Sequence, residues 1–349
     1  MRRGAVSYRL RTALETSRGP VRERTGARVE IFDEDGHRGA GEALPLPDFG
    51  TESPAECDTA LARVRAALEG ESGSLDALLD RVEAAAPDAP AARCAVDIAL
   101  HDLEGQRRGI PVAALLSDAP RLAVRVSALL GGDALEADIR IAAAIARGQD
   151  TFKLKIGGAP APEETRRILA MRARLGRTLR LRLDANGAWS ADEAIERLAV
   201  LAPLDIELVE QPVAASDLAG MRRVHAASRI PIAADESLAR AEGRHALVRG
   251  DLASIAVLKP MLLGGLRASA RLARDATRAG VRCFVTTTFE GPVGTAAAAH
   301  LAAAVSDPSL ANGLPSIDWI HARFPEELEP DEGCLRISTD PGLGLEELE

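Results

Sequence analysis

The chain has 349 residues, 46% of them hydrophobic, which is enough for one large barrel or two domains with real cores. Its formal net charge of −9 argues against a nucleic-acid partner, because phosphate binding needs a basic face. No apolar run approaches the roughly 20 residues that span a bilayer, and four scattered cysteines (Cys57, Cys94, Cys283, Cys334) without CxxC spacing read as reduced thiols of a cytoplasmic protein.

The N-terminal stretch MRRGAVSYRLRTALETSRGP carries two early arginines but lacks the apolar core of a signal peptide. Arg28–Phe32 and His37–Ala43, joined through Asp35-Gly36, predict a β-hairpin. GEALPLPDFGTES (41–53) is rich in Pro and Gly and predicts a loop lying as a lid over the active-site mouth, with Phe49 and Thr51 near the substrate. Helical spacing follows over 53–69, 74–86 and 90–107. Residues 1–120 are therefore expected to form an α+β capping domain.

From about residue 122 short apolar runs alternate with helical stretches such as 163–175, 190–201 and 266–279. The runs are VRVSALL, TFKLKIG, LRLRLDAN, IELVEQP, IPIAADES, SIAVLKP, RCFVTTTFE and, weakly, NGLPSIDW. Polar residues near their ends recur at 29, 26, 25 and 24 residues, from Lys155 through Asp184, Glu210 and Asp235 to Lys259. A strand, a helix and two short loops add up to about 25 residues. Eight such units predict an α/β fold with a (β/α)8-type barrel over 121–324. A doubly wound open sheet is the competing architecture, but no GxGxxG follows a strand. The segment 325–349, with CLRISTDPGLGLEELE, is expected to return and complete the capping domain.

Of the 43 Lys and Arg residues only three are lysine: Lys153, Lys155 and Lys259. Arginine serves for surface charge and ion pairs, but it stays protonated and cannot carry a proton back and forth. Lysines retained in so arginine-rich a chain, all within or beside apolar runs, point to chemistry. Lys153 and Lys155 share one face of their strand.

Barrel active sites form at the C-terminal strand ends. There the sequence places Lys153 and Lys155, Asp184 with Asn186, Glu210, Asp235 with Glu236, and Lys259. Three carboxylates converging from neighbouring strands would repel one another, and a hard divalent cation, Mg2+ or Mn2+, resolves this. Lys155 is the expected base. Lys153 would be the cation that lowers its pKa and binds a substrate carboxylate oxygen. A lysine base beside a metal suits proton removal next to a carboxylate, which builds up enediolate charge.

KLK, LDAN, VEQP, ADES and VLKP, in this order and spacing, resemble the muconate-lactonizing branch of the enolase superfamily over nearly the whole chain. The resemblance implies Asp184, Glu210 and Asp235 as metal ligands, Asn186 and Glu236 as their partners, and Lys155 with Lys259 as the acid/base pair. The six histidines offer no base at a late strand end, as the mandelate-racemase branch would require. The lid loop and VTTTFEGPVGTAAAAHLAAA (285–304), with Thr287 and Thr288, look most similar to o-succinylbenzoate synthases of menaquinone biosynthesis. That similarity implies a Mg2+-dependent dehydratase that eliminates water from a succinyl-hydroxycyclohexadiene carboxylate. N-succinylamino acid racemases, dipeptide epimerases and muconate cycloisomerases use the same lysines and remain alternatives, as does a catalytically silent barrel. PSIDW offers the single Asp318 where dipeptide epimerases carry an acidic pair. The substrate class is a small-molecule carboxylate, and aromatic content of 3% leaves the oligomeric state unread.

Overall fold

A computed structural model describes residues 1–16, 19–131 and 134–345. The chain opens with a long antiparallel hairpin, β1 (Arg2–Thr16) and β2 (Gly19–Phe32), and β3 (Arg38–Ala43) pairs with β2 from Phe32↔Arg38 to Ala27↔Ala43. The expected turn at Asp35-Gly36 is present. Strand β1 has no counterpart in the sequence reading. Tyr8 and Leu10 are its buried apolar residues and arginines surround them, so its apolar alternation is weak.

Helices α1 (Pro54–Leu68), α2 (Leu75–Ala85) and α3 (Pro90–Arg108) fall where helical spacing predicts them. Ser53 and Glu56 close α1 with a reciprocal capping box. Helix α3 lies against β3 because Gly39 and Gly41 carry no side chain. A Cβ on Gly41 would stand 1.8 Å from the Ala95 carbonyl oxygen, and one on Gly39 would stand 2.0 Å from that of Ala99. A short α4 (Val112–Leu116) leads into the second half.

The second half alternates strand and helix. β4 (Ala123–Arg125) and β5 (Ala128–Leu130) come first, then α5 (Ala134–Ala146), β6 (Thr151–Lys155), α6 (Ala161–Leu175), β7 (Arg180–Asp184) and α7 (Ala191–Leu201). β8 (Ile206–Glu210), α8 (Leu218–Ala227), β9 (Ile232–Ala234), α9 (Ala241–Val248) and β10 (Ile255–Leu258) follow. α10 (Pro260–Leu263), α11 (Leu266–Arg278), β11 (Arg282–Val285) and α12 (Pro292–Val305) finish the alternation. Strands β5 to β11 form one parallel sheet in sequence order.

The eighth strand is shorter than NGLPSIDW suggests. Asn312 bridges Val126 on one side and Gly313 bridges Thr286 on the other, and these two residues close the curled sheet. The chain then leaves the barrel: β12 (Ile320–His321) pairs with β1 through Leu10↔Ile320. The tail does more than return to the N-terminal elements. β13 (Cys334–Arg336) pairs with β4, and only afterwards does Gly342 accept from Val112 N and Leu343 donate to Asp102. The architecture is a (β/α)8-type barrel with a strand-rich N-terminal unit of the α+β kind.

Inward-facing Leu208, Ala233, Ile255, Val257 and Phe284 join Leu310 in an apolar plug inside the barrel. One step further along each strand the inward residue turns polar.

Candidate active site

Side-chain alternation sets the site. In β6, β7 and β8 the last inward residue is Lys155, Asp184 and Glu210, and register pairs Lys155 with Asp184 and Asp184 with Glu210. Asp235 and Lys259 follow directly on β9 and β10. Strands β6 and β10 stand four places apart in the sheet, so Lys155 and Lys259 reach in from opposite walls. One cavity at this strand end is lined by all three lysines, Asp184, Asn186 and Glu210.

Lys153 Nζ donates to Glu210 Oε2 (2.5 Å) and lies 2.9 Å from Asp184 Oδ2. Burial works against its charge, but Asp184, Glu210 and Asp235 together hold its ammonium above the ordinary lysine range. Its expected contact with substrate is therefore narrowed: two of its three protons are engaged, and one is free. Lys259 Nζ donates to Asp235 Oδ2 (2.5 Å), and Asp235 and Glu236 outweigh burial to raise its pKa. Lys155 moves the other way. Burial lowers its pKa, Asp184 opposes this, and the positive charges of Lys153 and Lys259 add to the lowering.

Among the carboxylates, burial pushes Asp184 up, but the three lysines bring it below its usual value. Glu210 is raised by burial, with Asp184 and Asp235 adding to the effect against Lys153. Glu236 is raised to about 7, by burial and then by the Asp235 charge. Asn186 joins the two acidic ends: its Nδ2 donates to Asp184 Oδ2 (3.2 Å) and to Glu236 Oε1 (2.9 Å).

Three buried oxygens here have no hydrogen-bond partner: Glu210 Oε1, Asp235 Oδ1 and Glu236 Oε2. Buried acceptors left unpaired are costly. An all-oxygen carboxylate set with unused lone pairs fits a hard divalent cation such as Mg2+. A second grouping, Asp33, Asp35 and His37, brings its candidate ligand atoms within 4.8 Å of one another. It sits at the surface in the β2–β3 turn, where His37 Nδ1 bonds Asp33 Oδ2 (2.9 Å) and Arg107 also pairs with Asp33. Those contacts account for it as a turn-closing ion pair.

The lid residues divide. Phe49 lines the cavity and lies over Lys259, with Nζ 5.6 Å from the ring centre. Thr51 does not reach it: its hydroxyl accepts from Leu46 N and donates to the Glu52 carbonyl, so it shapes the loop from within. Thr287 and Thr288 both line the cavity, but Thr288 is committed to Glu290 through its N–H and its hydroxyl.

Several residues escaped sequence reasoning. Gln211 Oε1 accepts from Asp235 N and Ser237 N (both 3.1 Å), fixing the turn that aims Asp235; its place in VEQP was the available signal. Trp319 and Phe289 pack at 5.6 Å and wall one side, and Arg182 lies at the floor. Asp318 lines the cavity, yet both its oxygens are taken by Arg147 Nη1 and Nη2 (2.8 and 3.0 Å). Nothing in the local sequence announces that pairing, since the partners are 171 residues apart.

Known proteins resemble this chain over most of its length. Residues 3–117 match the mandelate racemase / muconate lactonizing enzyme N-terminal domain, and residues 137–348 match the enolase C-terminal domain-like family. Muconate cycloisomerase 1 of Pseudomonas putida is 32% identical over 280 residues, covering 78% of this chain and 74% of that protein. N-succinyl-L-Arg/Lys racemase of Bacillus cereus is 26% identical, covering 98% and 93%. The solved structure of a dipeptide epimerase from Enterococcus faecalis V583, complexed with Mg and the dipeptide L-Leu-L-Tyr, superposes with a TM-score of 0.88 at 29% identity, covering 98% of each chain. The chain belongs to the enolase superfamily, in its muconate-lactonizing branch, and is an enzyme of that family.

Proposed function

We propose that the protein catalyses 1,1-proton transfer at the carbon next to a carboxylate, racemising an amino acid whose nitrogen is acylated, of the N-succinyl class. The observation that carries this reading is the lysine pair. Lys155 and Lys259 come from opposite walls of one cavity, so each can reach one face of a carbon held between them. In racemisation each takes a turn as base and as acid. Lactonisation of a muconate needs a single proton donor, whereas two lysines face this cavity from opposite walls.

Asp184, Glu210 and Asp235 would hold Mg2+, with Mn2+ as the alternative, and the ion would supply Lewis-acid stabilisation to the substrate carboxylate. Lys155 removes the α-proton from one face. Lys259 returns one to the other face. The free N–H of Lys153 steadies the carboxylate as charge builds on it. Phe49 and the aromatic wall keep water from the exposed carbanionic carbon.

Asp318 favours one substrate class within this reading. A dipeptide brings a free ammonium that needs a counter-charge, and Arg147 already occupies both Asp318 oxygens. A masked nitrogen is the better match. Dehydration of a succinyl-hydroxycyclohexadiene carboxylate, the first expectation from sequence, becomes the second reading. Relatives of this chain include muconate cycloisomerases, dipeptide epimerases and an N-succinyl-amino acid racemase. The aromatic wall of Phe49, Phe289 and Trp319 keeps a ring substrate in view.

The test is proton NMR in D2O of the Mg2+-loaded protein with N-succinyl-L- and D-amino acids, L,L-dipeptides, cis,cis-muconate and the cyclohexadiene carboxylate. Metal-dependent α-deuteration with inversion of the N-succinyl substrates is expected. Lactone formation or aromatisation without such exchange would overturn the racemase reading.

A further inference from the structure

The barrel sorts its lining by arc. Strands β6 to β10 bring Lys155, Asp184, Glu210, Asp235 and Lys259 in order, so the three carboxylates fill the arc between the two lysines. The remaining arc consists of β11, the closing residues Asn312 and Gly313, and β5. An aromatic pair faces the cavity there: Phe289 from the loop after β11 and Trp319 from the segment after Gly313, 5.6 Å apart. A substrate with its carboxylate against the acidic arc and its reacting carbon between the lysines turns the other groups on that carbon toward this pair.

Phe289 is held in place against the preference of its own backbone. Its φ is +62°, a left-handed conformation that a bulky side chain rarely adopts. Glu290 ties the loop around it. The Thr288 N–H donates to Glu290 Oε2 (2.5 Å), the Thr288 hydroxyl donates to Oε1 (2.6 Å), and the Thr295 hydroxyl donates to the Glu290 carbonyl (3.2 Å). Gly291 seats the loop on the N-terminal unit, since a Cβ there would stand 2.5 Å from Glu42 Oε1. Thr288 and Glu290 are each 3% exposed, yet Phe289 between them is only half-buried and lines the cavity. Its partner ring is also fixed: the Arg140 guanidinium lies 4.1 Å from the centre of Trp319, on which Gly131 packs closely. Strain of this kind persists where the surroundings over-determine it, and it gathers where a side chain meets a ligand.

We propose that Phe289 is a specificity-determining residue, whose ring receives the side chain of the substrate's amino acid and selects an apolar one. The proposal rests on the reading of this cavity as an N-acylamino acid site. Leu129 and Pro315 extend the apolar surface beside the rings. Among the described residues Asp318 is the one carboxylate lining this arc, and Arg147 already balances its charge, so a cationic side chain gains nothing there. The hydroxyls of Ser127, Thr287 and Ser316 on the same arc are bonded to one another or to the Asn312 and Gly313 carbonyls.

The probes are N-succinyl-L-leucine and N-succinyl-L-alanine, which differ only in the side chain. Each is titrated calorimetrically into the Mg2+-loaded full chain, and kcat/KM for α-deuteration of each is measured in D2O. The leucine compound is expected to bind more tightly and to exchange with a kcat/KM about 10-fold higher or more. Phe289→Ala should reduce that ratio about 5-fold, chiefly through KM of the leucine compound. Phe289→Gly should reduce it equally, but should fold with an equilibrium constant about 5-fold larger than that of Phe289→Ala, because glycine relieves the left-handed strain. This reverses the usual disadvantage of glycine, and urea unfolding reads it. Should Phe289→Ala fail to fold, Phe289→Asn, which tolerates this conformation, takes its place in the ratio test. A ratio near one in the unaltered protein, or one that survives the loss of the ring, overturns the specificity role; undiminished exchange alongside it leaves the proton-transfer reading standing. Discriminating binding without exchange keeps the role of Phe289 and sinks the proton-transfer reading. Phe289→Ala as stable as Phe289→Gly overturns the strained placement.

Discussion

At the scale of single residues, Lys155 and Lys259 differ in environment by a few ångströms of neighbouring charge, and the proposed chemistry rests on them. Asp235 accepts directly from Lys259 and favours its ammonium, whereas for Lys155 desolvation and the charges of Lys153 and Lys259 outweigh Asp184. Arginine at either position would keep the charge and lose the proton transfer. Each lysine faces one side of the substrate carbon, so their losses should be stereospecific. Lys155→Arg should lower α-deuteration of one enantiomer of an N-succinylamino acid about 100-fold or more and spare exchange of the other; Lys259→Arg should show the opposite preference. Isotope exchange by NMR on the separate enantiomers decides this. If each single variant lost both exchanges equally, the two-base assignment would be wrong.

At the scale of elements, the contact between α12 and the C-terminal segment holds a titratable group that catalysis does not touch. His300, buried in α12, accepts from Ala113 N of α4 at Nδ1 and donates from Nε2 to the Leu343 carbonyl, both at 3.2 Å. This arrangement needs the neutral ring. Burial lowers its pKa from 6.5 to about 4, with the Leu343 carbonyl partly opposing. The unfolded chain therefore binds a proton below about pH 6.5 that the folded chain accepts only near pH 4. The stability from neutral His300 is complete above pH 6.5 and drains away as pH falls toward 4, an effect of about 3 kcal/mol. His300→Gln can keep both hydrogen bonds without titrating. Urea unfolding at pH 7 and pH 4.5 should show a smaller acid loss in the variant than in the parent. Parallel losses in both proteins would mean that His300 does not titrate across that range.

Carboxylates gathered from three strands make the whole molecule's stability depend on what neutralises them. Glu210 and Glu236 have raised pKa values and unpaired oxygens. Mg2+ binding to the folded chain alone should raise the unfolding temperature with the logarithm of its concentration, adding about 2.7 kcal/mol at 100 times the Kd. Asp235→Asn should move that rise to higher Mg2+ by weakening the site. Differential scanning calorimetry across a Mg2+ series, with EDTA as the zero point, measures both. An identical rise in parent and variant would remove Asp235 from the ligand set.

The sequence alone determined the parts of this protein that depend on short-range pattern. Spacing near 25 residues placed the barrel's strands, helical periodicity placed α1 to α3 within a residue or two, and the three lysines among forty arginines all line one cavity. Strand alternation did the rest, because a residue's parity fixes the wall it faces. Other features were hidden because they depend on partners far away in the chain. Strand β1 is a strand because β2 and β12 pair with it, although its own apolar pattern is thin. NGLPSIDW spends only Asn312 and Gly313 on the barrel and gives Ile320 and His321 to another sheet. Thr51 looked like a substrate contact until its loop folded around it. Only tertiary structure decided that Arg147 pairs with both oxygens of Asp318 and that Arg182 crosses the barrel with one donor unspent. Both outcomes turn on long arginine side chains, whose reach exceeds any periodicity that a linear sequence can display.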